Sequence, residues 1–250
     1  MPHRWITDRP IAHRGYHDMN KAVWENTPSA FARAIDAGFP IECDLQLSSD
    51  DVAVVFHDYD TKRLCGVDGV VRDMTAETLT TLKIGGTEDR IPTFRQMLGQ
   101  VGGRVGLVAE IKPPAPEDIV PFVNAVLGDL EGYDGSVVLM SFDTALLKAL
   151  AETGTEWPIG LVAAEFNEAE RQKNEAALKL PISFVSFCVD HVPSDFIDLA
   201  RAKGLTVISW TVRDVASEKI ATEHTDQITF EGFDPMGLSA GSEALDKANG

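Results

Sequence analysis

The sequence predicts an α/β fold: a single closed (β/α)8 barrel with an extra β-hairpin strand and a short insertion after its second strand. Short apolar runs alternate with helix-patterned stretches almost from end to end, the pattern of parallel strands joined by right-handed crossovers. There are eight such runs, at residues 10–15, 40–47, 106–112, 136–142, 158–164, 183–189, 206–212 and 227–231, and eight units favour a closed barrel over an open doubly wound sheet. The runs are rich in Val, Ile, Leu and Phe, as strands buried on both faces must be. The chain's 250 residues suit one such barrel, which needs about that many. One domain over residues 1–250, with its core at about 10–235, is the expectation.

The elements follow in order. After the first run, Thr27 can cap a helix and Pro28 fits its first turn. Phe31, Ala34 and Ile35 share its apolar face, and Gly38 ends it. The run at 52–56 breaks the alternation. It follows Leu47 after only Ser48-Ser49-Asp50-Asp51, a link too short for a parallel crossover but suited to a hairpin. It is therefore an antiparallel strand outside the eight, returning His57 toward the barrel's C-terminal mouth. Residues 58–91 form an excursion in which Thr75 starts a short helix. Helical stretches at 93–101, 117–130, 143–153, 168–180, 194–203 and 214–222 complete the series. The tail at 239–250 is small and polar, a frayed end or one last short helix.

Charge narrows the function. Lys and Arg number 22 against 39 Asp and Glu, a formal net charge of −17. That field repels nucleic acid and anionic bilayers, so neither a nucleic-acid partner nor stable membrane association is expected. A small anionic substrate remains compatible if local cations dominate its pocket. Cys43, Cys65 and Cys188 have no paired spacing, which suggests a reducing compartment and no disulfide framework. The first residues lack the apolar core of a signal peptide, and no run approaches the ~18 apolar residues of a membrane span. A soluble cytoplasmic protein is expected. Oligomeric state leaves no mark in the sequence.

Polar residues cluster where the barrel strands end, the face on which such barrels build their sites. His13-Arg14 follows the first run, and Glu42 and Asp44 lie in the second. Glu110 and Lys112 lie in the third, Trp210 late in the seventh and Glu231 at the end of the eighth. In a strand, residues i and i+2 share a face. Glu42 therefore aims with Asp44, and Glu110 with Lys112. Co-facing carboxylates in an apolar strand are costly unless a cation sits between them. Three such acids form an oxygen-rich site suited to one divalent ion, Mg²⁺ or Ca²⁺, with Mn²⁺ as a further candidate. Arg14 and Lys112 can hold phosphate oxygens. His13 and His57 can move protons as general acid and base. Together these describe phosphoester cleavage.

At these residues the chain resembles the glycerophosphodiester phosphodiesterase family. The matching pieces are His13-Arg14-Gly15, Glu25-Asn26-Thr27, Glu42-x-Asp44, Asp51-x-x-Val54-Val55-x-His57-Asp58, Ile91-Pro92-Thr93, Glu110-x-Lys112 and Ser209-Trp210-Thr211-Val212. They stand in the family's order across residues 10 to about 235. The resemblance implies a phosphodiesterase-type TIM barrel, a divalent metal on Glu42, Asp44 and Glu110, acid–base roles for His13 and His57, and phosphate contacts from Arg14 and Lys112. It implies cleavage of a small-molecule glycerophosphodiester to an alcohol and glycerol phosphate. Two places depart from the pattern. The family's acidic residue after Pro-Thr is Gln96 here, and the strand-eight segment reads Thr229-Phe230-Glu231-Gly232, which transfers no role to Glu231.

Other residues have readings of their own. Glu25 either orients Arg14 or caps the first helix, and Asp58 orients His57 or closes its turn. Trp210 is either core or a stacking surface for the glycerol moiety. Cys43, between two inward acids, should face the helices. His17, His191 and His224 are expected at the surface, and Phe31, Phe122, Phe142 and Phe196 in the core. A lysophospholipase D-like or phosphoinositide-type activity on the same barrel would call for exposed apolar residues around the mouth. A non-catalytic binding barrel would have lost some of these polar positions, and all are present.

Overall fold

The computed structural model describes residues 3–237; the tail at 239–250 lies outside them. Its strands are β1 (Ile11–Ala12), β2 (Ile41–Leu47), β3 (Ala53–Val55), β4 (Leu107–Ile111), β5 (Val137–Ser141), β6 (Ile159–Ala163), β7 (Phe184–Cys188), β8 (Thr206–Val212) and β9 (Gln227–Phe230). The helices are α1 (Pro28–Ala37), α2 (Lys62–Cys65), α3 (Ala76–Leu79), α4 (Phe94–Val101), α5 (Ile119–Leu130), α6 (Thr144–Glu152), α7 (Glu168–Ala177), α8 (Asp195–Ala202) and α9 (Val215–His224). The nine strands run β1-β9-β8-β7-β6-β5-β4-β2-β3, and β1 also pairs with β2. The sheet thus closes into a parallel barrel with β3 alone outside the ring, the fold expected from the alternation.

Two apolar layers follow from the two-residue strand period. Outward side chains, among them Cys43, Leu45 and Ala109, pack under the helices with Phe31, Phe94, Phe122 and Phe196. Inward side chains (Ile11, Val108, Val138, Met140, Val162, Phe184 and Ile208) fill the barrel. A 3-10 turn at Arg4–Thr7 closes its N-terminal end, with Ile6 buried and Trp5 against Gly106, where a Cβ would lie 2.2 Å from the indole.

The hairpin forms as its short link requires: Leu45 faces Val55 and Leu47 faces Ala53 in antiparallel register. The excursion after it has its own small core of Val54, Phe56, Leu64, Val71, Leu79, Ile84 and Ile91. Thr27 caps α1 by accepting from the Ala30 N–H, and Gly38 ends it at φ +70°. Gln96 has a local use, since it and Thr93 form a reciprocal capping box at the start of α4.

Several boundaries differ from expectation by a few residues. β1 is two residues long, because Arg14 (φ +54°) and Gly15 (φ +82°) turn the chain out of the sheet at once. Gly15 also has no room for a side chain, since a Cβ would lie 2.8 Å from that of Ala30. α5 begins at Ile119, after a 3-10 turn over Pro116–Asp118. β9 ends at Phe230, which frees Glu231 from the sheet.

Candidate active site

The site grows from the strand ends. Glu42 and Asp44 point inward from β2, and the register sets Asp44 beside Glu110 of β4. All three are buried, and one carboxylate oxygen from each lies within 4.8 Å of the others. Two oxygens on opposite sides of an ion, each bonded at about 2.4 Å, stand about that far apart. Charge supports the same fit. Burial, then the charges of Asp44 and Glu110, push the Glu42 carboxyl well above its usual range. Burial also raises Glu110, with Lys112 opposing. Burial works on Asp44 as well, but Lys112 and Arg14 outweigh it and hold that carboxyl far below the usual range. The chain's own cations thus leave part of the acidic charge uncompensated. The donor set fits a hard divalent cation.

Both expected phosphate-binding cations border these acids. Lys112 Nζ lies 2.7 Å from Asp44 Oδ1 and 2.7 Å from Glu110 Oε1. Arg14 Nε lies 3.1 Å from Asp44 Oδ2, and its Nη1 donates to Glu25 Oε1 at 2.7 Å. Arg14 turns inward beside His13 because β1 has already ended. Asn26, at φ +55°, fixes this loop: its side-chain amide donates to Asp44 Oδ2 at 2.8 Å, and its N–H donates to the Arg14 carbonyl at 2.8 Å. Glu25 orients Arg14 rather than capping α1; it also accepts from Arg63 Nη2 at 2.8 Å and Asn20 Nδ2 at 2.5 Å.

The two histidines have matching supports. His57 follows β3, where the Phe56 N–H donates to the Asp44 carbonyl and Gln46 Nε2 donates to the His57 carbonyl. His57 Nδ1 lies 2.7 Å from Asp58 Oδ1, and Arg63 Nε donates to Asp58 Oδ2 at 2.6 Å. His13 Nδ1 lies 2.6 Å from Glu231 Oε2, and Arg213 Nε donates to Glu231 Oε1 at 2.7 Å. Each imidazole is therefore held at Nδ1 by a carboxylate that an arginine holds in turn. Burial pulls both imidazoles below their ordinary pKa, and the Glu231 hydrogen bond and the Asp44 charge respectively oppose it most strongly. His13 Nε2 points inward, 3.9 Å from Glu42 Oε2.

His13, Arg14, Glu42, His57, Glu110, Lys112 and Trp210 line one cavity of about 240 Å³. Trp210 forms its apolar wall: the indole N–H donates to the Ser186 carbonyl at 3.0 Å, and Phe142 meets the ring edge-on at 5.5 Å. It packs on the barrel interior and faces the cavity at once. Phe142 belongs to that wall rather than to the outer core.

The sequence reading gave Glu231 no role, placed His17 at the surface and did not single out Arg213. Glu231 did stand at a strand's end, the place that marks the other site residues, and Arg213 lies just past the end of β8. His17 gave no such signal. It is buried, not exposed: its Nδ1 accepts from the Met19 N–H at 3.1 Å, so its Nε2 carries the proton that faces Glu231 at 3.5 Å.

Fold and site together define a barrel enzyme with a buried acidic centre, flanked by histidines, at its C-terminal mouth. The sequence pattern of the Glycerophosphoryl diester phosphodiesterase family matches residues 13–230, and the chain belongs to that family. A glycerophosphodiester phosphodiesterase of Caldanaerobacter subterraneus is 29% identical over 217 residues, covering 81% of this chain and 84% of the relative. The crystal structure of a glycerophosphodiester phosphodiesterase from Thermotoga maritima aligns with a TM-score of 0.72 at 26% identity, over 89% of this chain and 94% of that one. A phosphodiesterase from Oleispira antarctica, solved in complex with its product sn-glycerol-3-phosphate, shares the fold with a TM-score of 0.78 at 21% identity, over 94% and 96% of the two chains.

Proposed function

We propose that this chain, acting as one catalytic domain, cleaves glycerophosphodiesters to an alcohol and sn-glycerol 3-phosphate. The observation that carries the proposal is the convergence on one cavity of two carboxylate-held imidazoles, two cations and the acids Glu42 and Glu110, with Asp44 clustered behind them. Family membership and the product named for the Oleispira antarctica phosphodiesterase support the substrate class.

Glu42, Asp44 and Glu110 would hold the divalent ion, Mg²⁺, Ca²⁺ or Mn²⁺. Bound there, it would draw negative charge from a phosphoryl oxygen. Arg14 and Lys112 bind the remaining phosphate charge in exchange for part of their pairing with Asp44. One imidazole, neutral, removes the proton from the attacking oxygen, which is water or the neighbouring glycerol hydroxyl; attack by the hydroxyl gives a cyclic phosphate that water opens in a second step. The other, protonated, gives its proton to the departing alcohol oxygen as the P–O bond breaks. Glu231 and Asp58 fix the tautomers, so that each Nε2 is the working atom. The Trp210–Phe142 wall excludes water on one side. The free cysteines fit a reducing, cytoplasmic setting. Among the described residues no helix is long and apolar enough to cross a membrane.

The test is turnover of glycerophosphocholine and glycerophosphoethanolamine by metal-depleted protein, with Mg²⁺, Mn²⁺ and Ca²⁺ restored in turn. Restored activity that is lost in both His13→Ala and His57→Ala is expected. Absence of turnover with every ion, beside an active relative as control, refutes the proposal.

A further inference from the structure

A second cavity opens directly from the catalytic one. It measures about 620 Å³ against about 240 Å³, and the two share His57, Glu110, Lys112 and Phe142. It runs between the excursion after β3 and the β6–α7 connection. Its walls are largely apolar, built from Tyr59, Pro113, Phe142, Ala164 and Phe166. Two of these aromatics stand unusually open for their size: Tyr59 is 57% exposed and Phe166 is 69% exposed.

Their exposure is built into the fold. The Tyr59 hydroxyl donates to the Pro113 carbonyl at 3.0 Å. Phe166 stands edge-on against His191, ring centroids 4.7 Å apart, and its N–H donates to Glu170 Oε2 at 3.1 Å. The polar groups beside the trough are also engaged. Asp60 accepts from the Lys62 N–H, and Lys173 Nζ donates to the Phe142 carbonyl at 3.3 Å. What remains for a ligand is mostly carbon surface. A small head group would fill a fraction of this space and leave the pinned aromatics in water, whereas an apolar substituent would cover them.

We propose that this trough seats a single unbranched alkyl chain carried by the phosphodiester, so that the same site prefers amphiphilic phosphodiesters to short ones. The proposal rests on the phosphodiesterase reading above. The chain can belong to either side of the phosphate, to an acyl group on the glycerol or to the departing alcohol. Both sources present the same chemistry to Tyr59, Phe142 and Phe166.

The experiment measures kcat/KM with the active ion restored, for two series held below their critical micelle concentrations. One is 1-acyl glycerophosphocholines of increasing acyl length; the other is glycerophospho-n-alkanols of increasing alcohol length. Glycerophosphoethanolamine is the short reference. An open trough covers about half of each methylene, so kcat/KM should rise about twofold per methylene, against about fourfold for full burial. A rise in the acyl series places the glycerol side in the trough, and a rise in the alkanol series places the departing alcohol there. Phe166→Ser should flatten the dependence on length and Phe166→Leu should restore it; so exposed a side chain can change without unfolding the barrel. Turnover of glycerophosphoethanolamine with a flat or falling dependence in both series overturns this proposal and leaves the phosphodiesterase reading standing. No turnover of any substrate overturns both.

Discussion

Replacing Glu231 with Gln tests whether the carboxylate behind His13 is part of the reaction machinery or only a structural bridge. The substitution keeps size and shape and removes one charge. In the native protein Glu231 accepts from His13 at 2.6 Å and from Arg213 at 2.7 Å. Burial raises its pKa, but His13, His17 and Arg213 outweigh burial and keep it ionised. A glutamine must give one of these partners an NH₂ group. If His13 receives it, the imidazole is forced into the opposite tautomer; if Arg213 receives it, two donors face each other. A hydrogen bond to a charged group contributes about 1.5–3 kcal/mol, against about 0.5–1.5 for a neutral one. The charge alone is therefore worth about 1–1.5 kcal/mol to the imidazolium, about tenfold in rate. Tautomer inversion adds to this, up to the ~10⁴-fold limit of full acid–base loss. We expect kcat for glycerophosphocholine to fall about 10²-fold, with KM within a few-fold and the melting temperature little changed. Nitrogen NMR of His13 should show the proton moved from Nδ1 in part of the population. A kcat within threefold of wild type, with the protein folded, would refute the role given to Glu231.

Three further outcomes are expected. Gly15→Ala combines a left-handed backbone with a Cβ 2.8 Å from Ala30; a cost of about 2–4 kcal/mol should lower the melting temperature by about 5–15 °C in calorimetry, and an unchanged value would contradict the packing. Divalent ion at a hundred times its Kd should stabilise the protein by about 2.7 kcal/mol; thermal scans should show this shift in the wild type and not in Glu42→Gln or Glu110→Gln. Glu25, buried between Arg14 and Arg63, is held down to about 2 from 4.5 although burial opposes the shift. A depressed carboxyl contributes stability that is fully present above pH 4.5 and is lost as pH falls toward 2. The contribution is about 3 kcal/mol, so urea midpoints should fall more steeply between pH 5 and 3 in the wild type than in Glu25→Gln, and parallel curves would count against the ion pairs.

Much of the molecule was legible before any fold was known, because its signals are local. Period-two geometry put Glu42 and Asp44 on one face and Cys43 on the other, whatever lay around them. A link of Ser48-Ser49-Asp50-Asp51 permitted a hairpin and nothing longer, and that placed His57 back at the mouth. The turn at His13-Arg14-Gly15 was legible only as a motif. That β1 would end at Ala12, swinging Arg14 inward, depended on a left-handed backbone at Arg14 that favours no particular neighbour.

The sequence by itself determined the order of strands and helices, the inward acids of β2 and β4 and the presence of two histidines at strand ends. Tertiary closure decided who stands behind those histidines. Glu231 and His13 are 218 positions apart and meet because β9 lies beside β1 at the seam of the barrel. The same closure buried His17, turned Phe142 and Trp210 into a cavity wall, and brought Tyr59 and Phe166 to the two sides of one trough. A residue's immediate neighbours fix which way it points, whereas its distance from a remote segment is set by the shear and closure of the whole sheet.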